Sequence, residues 1–93
     1  MIKSFCGKEA QGIWAGDGVR RFPPHLQKIA RRKLRMLNNA RTLDDLRVPP
    51  GNRLEMLRGD RAGSYNIRIN NQWRICFIWR NGDALDVELV DYH

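Results

Sequence analysis

The stretch SYNIRINNQWRICFIWRNGDALDVELVD, residues 64–91, decides the fold. Its period is two. Tyr65, Ile67 and Ile69 alternate with Ser64, Asn66, Arg68 and Asn70. Trp73, Ile75, Phe77 and Trp79 then alternate with Arg74, Cys76, Ile78 and Arg80. Successive side chains of a strand point to opposite faces, so each run reads as a strand with two distinct sides. Asn70-Asn71 is a turn signal. Asn81-Gly82 is a stronger one, since both residues accept the positive φ of a type I′ hairpin turn. Residues 83–91 supply the last strand. Residues 53–58 alternate more loosely, with Leu54 and Met56 against Arg53 and Glu55.

A two-residue turn also sets the register. It places Arg80 opposite Asp83, Ile78 opposite Leu85, Cys76 opposite Val87 and Arg74 opposite Leu89. That face is apolar except at its ends and is assigned to the core. The other face sets Trp73, Ile75, Phe77 and Trp79 beside Ala84, Asp86, Glu88 and Val90, a mixture that suits a partly exposed surface.

Upstream the period becomes helical. The opening MIKSF suggests a short strand, and residues 8–15, KEAQGIWA, a weak helix broken by Gly16, Asp17 and Gly18. Pro23 and Pro24 suit the first turn of a second helix, where a missing N–H costs nothing. Leu26, Ile29, Ala30, Leu34, Leu37 and Ala40 fall on one stripe of residues 24–40, with Lys28, Arg31, Arg32 and Arg35 opposite. Thr42 followed by Asp45 has the spacing of a capping box. Val48-Pro49-Pro50-Gly51 is the only linker-like stretch. Helices first and an antiparallel meander after give an α+β fold, with the helices covering one face of the sheet.

At 93 residues and 10.9 kDa the chain is expected to be a single domain, residues 1–93. Such a length buries little more than ~60% of its unfolded surface, too little for a barrel enzyme or a doubly wound nucleotide-binding fold. Cys6 and Cys76 lie far apart and form no CxxC, as in reduced cytoplasmic proteins. No apolar run is long enough to span a bilayer, and no membrane partner is expected.

The net charge of +7 is unevenly placed: residues 20–80 carry net +11, residues 81–93 net −4. Thirteen of the seventeen cations are arginine, which grips phosphate bidentately. A nucleic acid or another polyanion is the partner such a surface attracts.

Most catalytic constellations are missing. His25 and His93 do not pair with the cysteines at metal-ligand spacing. There is no P-loop and no nucleophile elbow around Ser4 or Ser64. No metal and no cofactor is expected. Arginine, tyrosine, histidine and one glutamate suffice for metal-independent RNA cleavage, in which the substrate's 2′-OH is the nucleophile. The protein supplies a proton acceptor, cations for the growing phosphate charge and a proton donor for the leaving 5′-oxygen.

Four segments occur together in order: MIKSF at the start, RLEMLRGDRAG at 53–63, NQWRICF at 71–77 and VDYH at 90–93. Together they resemble the HigB toxins, the plasmid-maintenance killer-protein family within the RelE/ParE superfamily. The likeness covers nearly the whole chain and is weakest over residues 7–25. It implies a RelE-like fold and a cytoplasmic bacterial toxin of a type II toxin–antitoxin pair. It implies a ribosome-dependent endoribonuclease that cuts mRNA in the A site of the 70S ribosome. Its partner would be a HigA-like helix-turn-helix antitoxin.

The resemblance also assigns residues. Arg74, in the family's "WRI" motif, would hold the scissile phosphate. Tyr92 and His93 match the terminal pair that orients the nucleotide or transfers a proton. Glu55 stands where some members carry histidine, and Arg58 where they carry lysine; a carboxylate still serves as base, but a guanidinium is a poor proton donor. Arg53, Arg61, Arg68, Arg31, Arg32 and Arg35 are the candidate RNA-binding cations. Simpler roles compete: Arg74 as an ion-pair partner of Asp91, Glu55 as a surface partner of Arg53 or Arg68, the helix arginines as a solvated face. A regular hairpin would put Arg74 and Tyr92 on opposite faces, so the tail after Val90 is expected to leave the ladder or to carry a bulge.

Two rival functions share these features. A ParE-like gyrase poison has the fold without nuclease activity, but needs no terminal Tyr-His pair. A non-catalytic RNA-binding module would show strand aromatics flanked by glycines, which this chain lacks.

Overall fold

A computed structural model describes residues 1–57 and 63–91. Two helices, α1 (Lys8–Ala15) and α2 (Pro24–Asn39), precede a four-stranded antiparallel sheet. Its strands are β1 (Glu55–Met56), β2 (Ser64–Arg68), β3 (Trp73–Arg80) and β4 (Asp83–Asp91), in spatial order 1-2-3-4. This is the α+β meander expected from the periodicity.

Gly16 ends α1. Its φ of +85° is the left-handed region that closes a helix, and Asp17 N–H then reaches back to the Gly12 carbonyl at 2.9 Å. Gln27 ties the incoming loop to α2 by donating to the carbonyls of Val19 (2.8 Å) and Phe22 (2.6 Å). One stripe of α2, Leu26, Ala30, Leu34 and Leu37, is buried against Ile67, Ile75, Phe77 and Val87 of the sheet. Phe22 closes one end of this core, meeting Trp73 edge to face at 4.6 Å.

On β3 the inner face is the reverse of the one expected, whereas on β4 the expected Val87 is buried and Leu89 packs against the core. Trp73, Ile75 and Phe77 are buried in the core. The cause is a β-bulge at Asp86, which sits at φ +51°. Near the turn the expected pairs hold, Arg80 with Asp83 and Ile78 with Leu85. Beyond the bulge the register moves by one, so Cys76 faces Glu88 and Arg74 faces Val90. One inserted residue sends every later side chain to the other side of the strand. Val87 thus lies in the core, as expected, now on the same side as Phe77 and Ile75, while Asp86 and Glu88 stay out of it. This bulge lies ahead of Val90; Asp91 still pairs with Trp73, and the departure or bulge expected in the tail beyond it falls outside the described residues.

The N-terminal segment clasps this irregular strand. It forms no full strand but runs parallel to β4 through isolated bridges, Ile2 to Ala84 and Phe5 to Val87. Ser4 Oγ accepts from the Asp86 N–H at 2.9 Å, so the bulge is held by a side chain more than eighty residues away. At the hairpin Asn81 (φ +53°) and Gly82 (φ +81°) adopt the positive φ values anticipated for the turn.

Thr42 and Asp45 form the expected capping box, opening a 3₁₀ turn at Leu43–Arg47. The backbone N–H groups of Arg41 and Thr42 donate to Asp45 Oδ2, at 2.9 and 3.1 Å, and hold its carboxyl below the usual value of 3.8. A carboxylate depressed on folding stabilises the chain above its unfolded pKa; that contribution is lost as the pH falls through the lower folded value. Asp45→Ala is therefore expected to lower the melting temperature at neutral pH. The gap from the parent chain should close as the pH drops below 3.8, measured by circular-dichroism melts across the acid range. A gap that persists unchanged at the acid end would show that the carboxylate's charge is not the stabilising feature.

Candidate active site

The sheet face turned away from the core is polar and partly enclosed. Glu55, Asn66, Cys76 and Glu88 stand in register across the four strands. The neighbouring row is Arg68, Arg74 and Val90. Arg74 is the centre of this surface: its side chain is only 9% exposed, far below the norm for a cation. A buried charge needs partners. Arg74 Nη1 donates to Asn66 Oδ1 at 2.7 Å and to the Arg53 carbonyl at 3.3 Å. Its Nη2 lies 3.8 Å from Glu55 Oε1, a loose ion pair with a carboxylate that is half exposed. The structure thus brings Arg74 and Glu55 together.

The backbone that supplies the Arg53 carbonyl is itself built. Arg53 sits in the left-handed region (φ +46°, ψ +56°), an uncommon place for a residue with a side chain. It follows a 3₁₀ turn at Pro50–Asn52 and donates its N–H to the Pro50 carbonyl at 3.1 Å. Asn52, fully buried, fastens this turn. Its Nδ2 donates to the Leu46 carbonyl at 3.1 Å, and its Oδ1 accepts from Lys33 Nζ of α2 at 2.5 Å. Burial first, then the charges of Arg32 and Arg68, pull the Lys33 ammonium below its ordinary value of 10.5. A helix lysine, a buried amide and a strained backbone residue therefore lead from the core layer to the guanidinium. The looser strand expected from residue 53 starts only at Glu55, because Arg53 has this turn conformation.

The candidate RNA-binding cations divide. Arg68 shares the face of Arg74, faces it in register and donates to Asn71 Oδ1. Arg53 is exposed beside the site and contributes its carbonyl. Arg31, Arg32 and Arg35 lie elsewhere. They are exposed on the outer side of α2 and line, with Lys28, Ile13 and Asp17, a groove between the two helices. Helix α2 and the core separate that groove from Arg74. Arg58, Arg61, Tyr92 and His93 lie outside the described residues.

Sequence reasoning missed Asn66 and the Arg53 carbonyl. Asn66 carried a signal, an amide in mid-strand where amides are uncommon. The Arg53 carbonyl carried none, since a backbone acceptor has no letter of its own. Among the described residues no three His, Cys, Asp or Glu side chains converge as metal ligands would, and no helix is long and apolar enough to cross a membrane.

What this arrangement offers is a fixed, desolvated guanidinium beside a solvent-reachable carboxylate. That pair can hold a phosphodiester and accept a proton near it. Comparison with known proteins points the same way. The family model described as the RelE-like toxin of the type II toxin–antitoxin system HigB matches residues 3–93. The chain belongs to this HigB-like toxin family. Toxin HigB-1 of Vibrio cholerae is 43% identical over 90 residues, covering 96% of this chain and 95% of that protein. Endoribonuclease HigB of Proteus vulgaris is 44% identical over 93 residues, the full length of both. Among solved structures, the YoeB–YefM complex from Staphylococcus aureus contains a chain that superposes with a TM-score of 0.59. The match covers 100% of the HigB-like chain and 98% of the other, at 14% identity, a likeness of fold. As a type II toxin of the RelE group the HigB-like chain has an antitoxin as its partner.

Proposed function

We propose that the chain is a ribosome-dependent mRNA endonuclease that arrests translation, restrained by a helix-turn-helix antitoxin of the HigA kind. The observation that carries this is the buried Arg74, held by Asn66 and the Arg53 carbonyl 3.8 Å from Glu55, in a close relative of a protein named an endoribonuclease. In the proposed reaction the 2′-oxygen of the nucleotide attacks the adjacent phosphorus. Its proton passes to the Glu55 carboxylate. Arg74 stabilises the charge that accumulates on the non-bridging oxygens, where fixed donors in a dry site count for most. The bond to the 5′-oxygen breaks, and Tyr92 or His93 supplies the proton that leaves with it. The products are a 2′,3′-cyclic phosphate and a 5′-hydroxyl. Arg58 and Arg61, which follow β1 in the sequence, and Arg68 add positive charge for the message. Arg31, Arg32 and Arg35 face outward on α2, where ribosomal RNA phosphates would meet them.

The test is to induce the chain in bacteria and map mRNA 5′ ends. In-frame cuts within translated messages support the proposal. Intact mRNA with stalled replication would instead point to a gyrase poison.

A further inference from the structure

Asn66 is fully buried at the middle of β2. Its Oδ1 takes one Nη1 hydrogen of Arg74 at 2.7 Å, and the Arg53 carbonyl takes the other at 3.3 Å. Both acceptors at this end of the guanidinium are neutral. The Asn66 Nδ2 group is buried with no hydrogen-bond partner. This is a costly residue to keep: an amide in a strand interior, half of its polar head unpaired. Aspartate has the same shape and would answer the buried guanidinium with a charge-assisted bond, the stronger kind. The feature that distinguishes asparagine here is its lack of charge.

We propose that Asn66 is a positioning residue for Arg74. It fixes the direction of the guanidinium through a neutral acceptor, which adds no negative charge of its own beside the group that a phosphate must meet. A carboxylate at the same place would compensate the positive charge and favour the folded chain at the expense of the site. The inference rests on the reading of Arg74 as the phosphate-holding group.

The test compares Asn66→Asp and Asn66→Ala in the full chain. Single-turnover cleavage of a defined mRNA on programmed ribosomes is followed over a range of toxin concentrations, with thermal melts alongside. Asn66→Asp is expected to melt at or above the parent temperature. Its saturating rate should fall roughly ten- to a hundredfold, the range for a charged hydrogen bond made in the transition state. The half-saturating concentration should move by less than about threefold, because dispersed cations supply most of the affinity for a polyanion. A merely structural asparagine predicts the opposite, since aspartate keeps both shape and acceptor; a parent-like rate for Asn66→Asp overturns the proposal. Should Asn66→Asp not fold, Asn66→Ala is read in an Arg74→Lys background. There its effect must nearly vanish, because it acts through the guanidinium fork, and an undiminished loss overturns the proposal as well. Arg74→Ala separates the two levels. If that variant cleaves normally, the reading of the site fails and takes this inference with it. If it is inactive while Asn66→Asp is active, only the role of Asn66 fails.

Discussion

Arg74→Ala is expected to lower cleavage of translated mRNA by roughly 10²–10³-fold, the usual cost of removing one donor that stabilises a developing oxyanion. The guanidinium is held by Asn66 Oδ1 and the Arg53 carbonyl, beside Glu55, in a largely buried position, so it pays little reorganisation when charge appears on the phosphate. The same burial makes a folding control necessary. Removing the side chain leaves Asn66 Oδ1 without its donor, a penalty of about 1–3 kcal/mol in a chain of ordinary marginal stability. Arg74→Lys supplies the control. It keeps a cation with a single donor nitrogen, and it loses the fork that reaches Asn66 and Arg53 together. Both variants should show native circular dichroism, with Arg74→Lys retaining more activity than Arg74→Ala. Growth arrest by Arg74→Ala at parent expression would place the chemistry elsewhere.

The strands, helices and turns of this chain were legible because each carries a local pattern. Period two in residues 64–80, the stripe of Leu26, Ala30, Leu34 and Leu37, the capping box at Thr42 and Asp45 and the Asn81-Gly82 turn all have short-range causes. The inner face of the sheet was not legible from a regular ladder. It depends on one residue, Asp86, leaving the β region, and on Ser4 arriving from the far end of the chain to hold it. A trace of the bulge was nevertheless present. A regular hairpin sets Ile75 and Phe77 against Glu88 and Asp86, and apolar-against-carboxylate pairing is poor cross-strand chemistry. Shifting the register by one past Phe77 relieves it, pairing Ile75 with Leu89.

The site was legible in part for a similar reason. Arg74 and Glu55 could be singled out as residue types within motifs, but what makes Arg74 distinctive is its setting. Asn66 lies eight positions away on the neighbouring strand, and Arg53 acts through its backbone. The Lys33–Asn52 contact spans helix and turn. Each depends on tertiary placement, which no window of sequence contains. The cations of α2 show the converse: they cluster in sequence, yet the helix directs them away from Arg74.

Purified protein is expected to cut free RNA poorly and ribosome-bound, translated mRNA well, and the difference should be the largest effect seen with this chain. The proposed chemistry uses an arginine, a half-exposed glutamate and the terminal Tyr-His pair. Glu55 is a weak base for a 2′-hydroxyl, and Arg58 is a cation that does not readily give up a proton. Such a set gains most when the phosphate arrives already in line with the attacking oxygen. Orientation of that kind can supply ~7–11 kcal/mol of a barrier, which is many powers of ten in rate. The ribosome's decoding site is a device that holds a message in a fixed shape, and the positive charge of this chain suits it to an RNA surface. The comparison is made by single-turnover assays on the same message, naked and on programmed ribosomes, at equal toxin concentration. Because the proposed steps pass only through side chains and the substrate's own hydroxyl, EDTA should leave the rate unchanged as long as it stays below the level that dismantles ribosomes. Rapid cleavage of naked RNA that stops when EDTA is added would sink this mechanism.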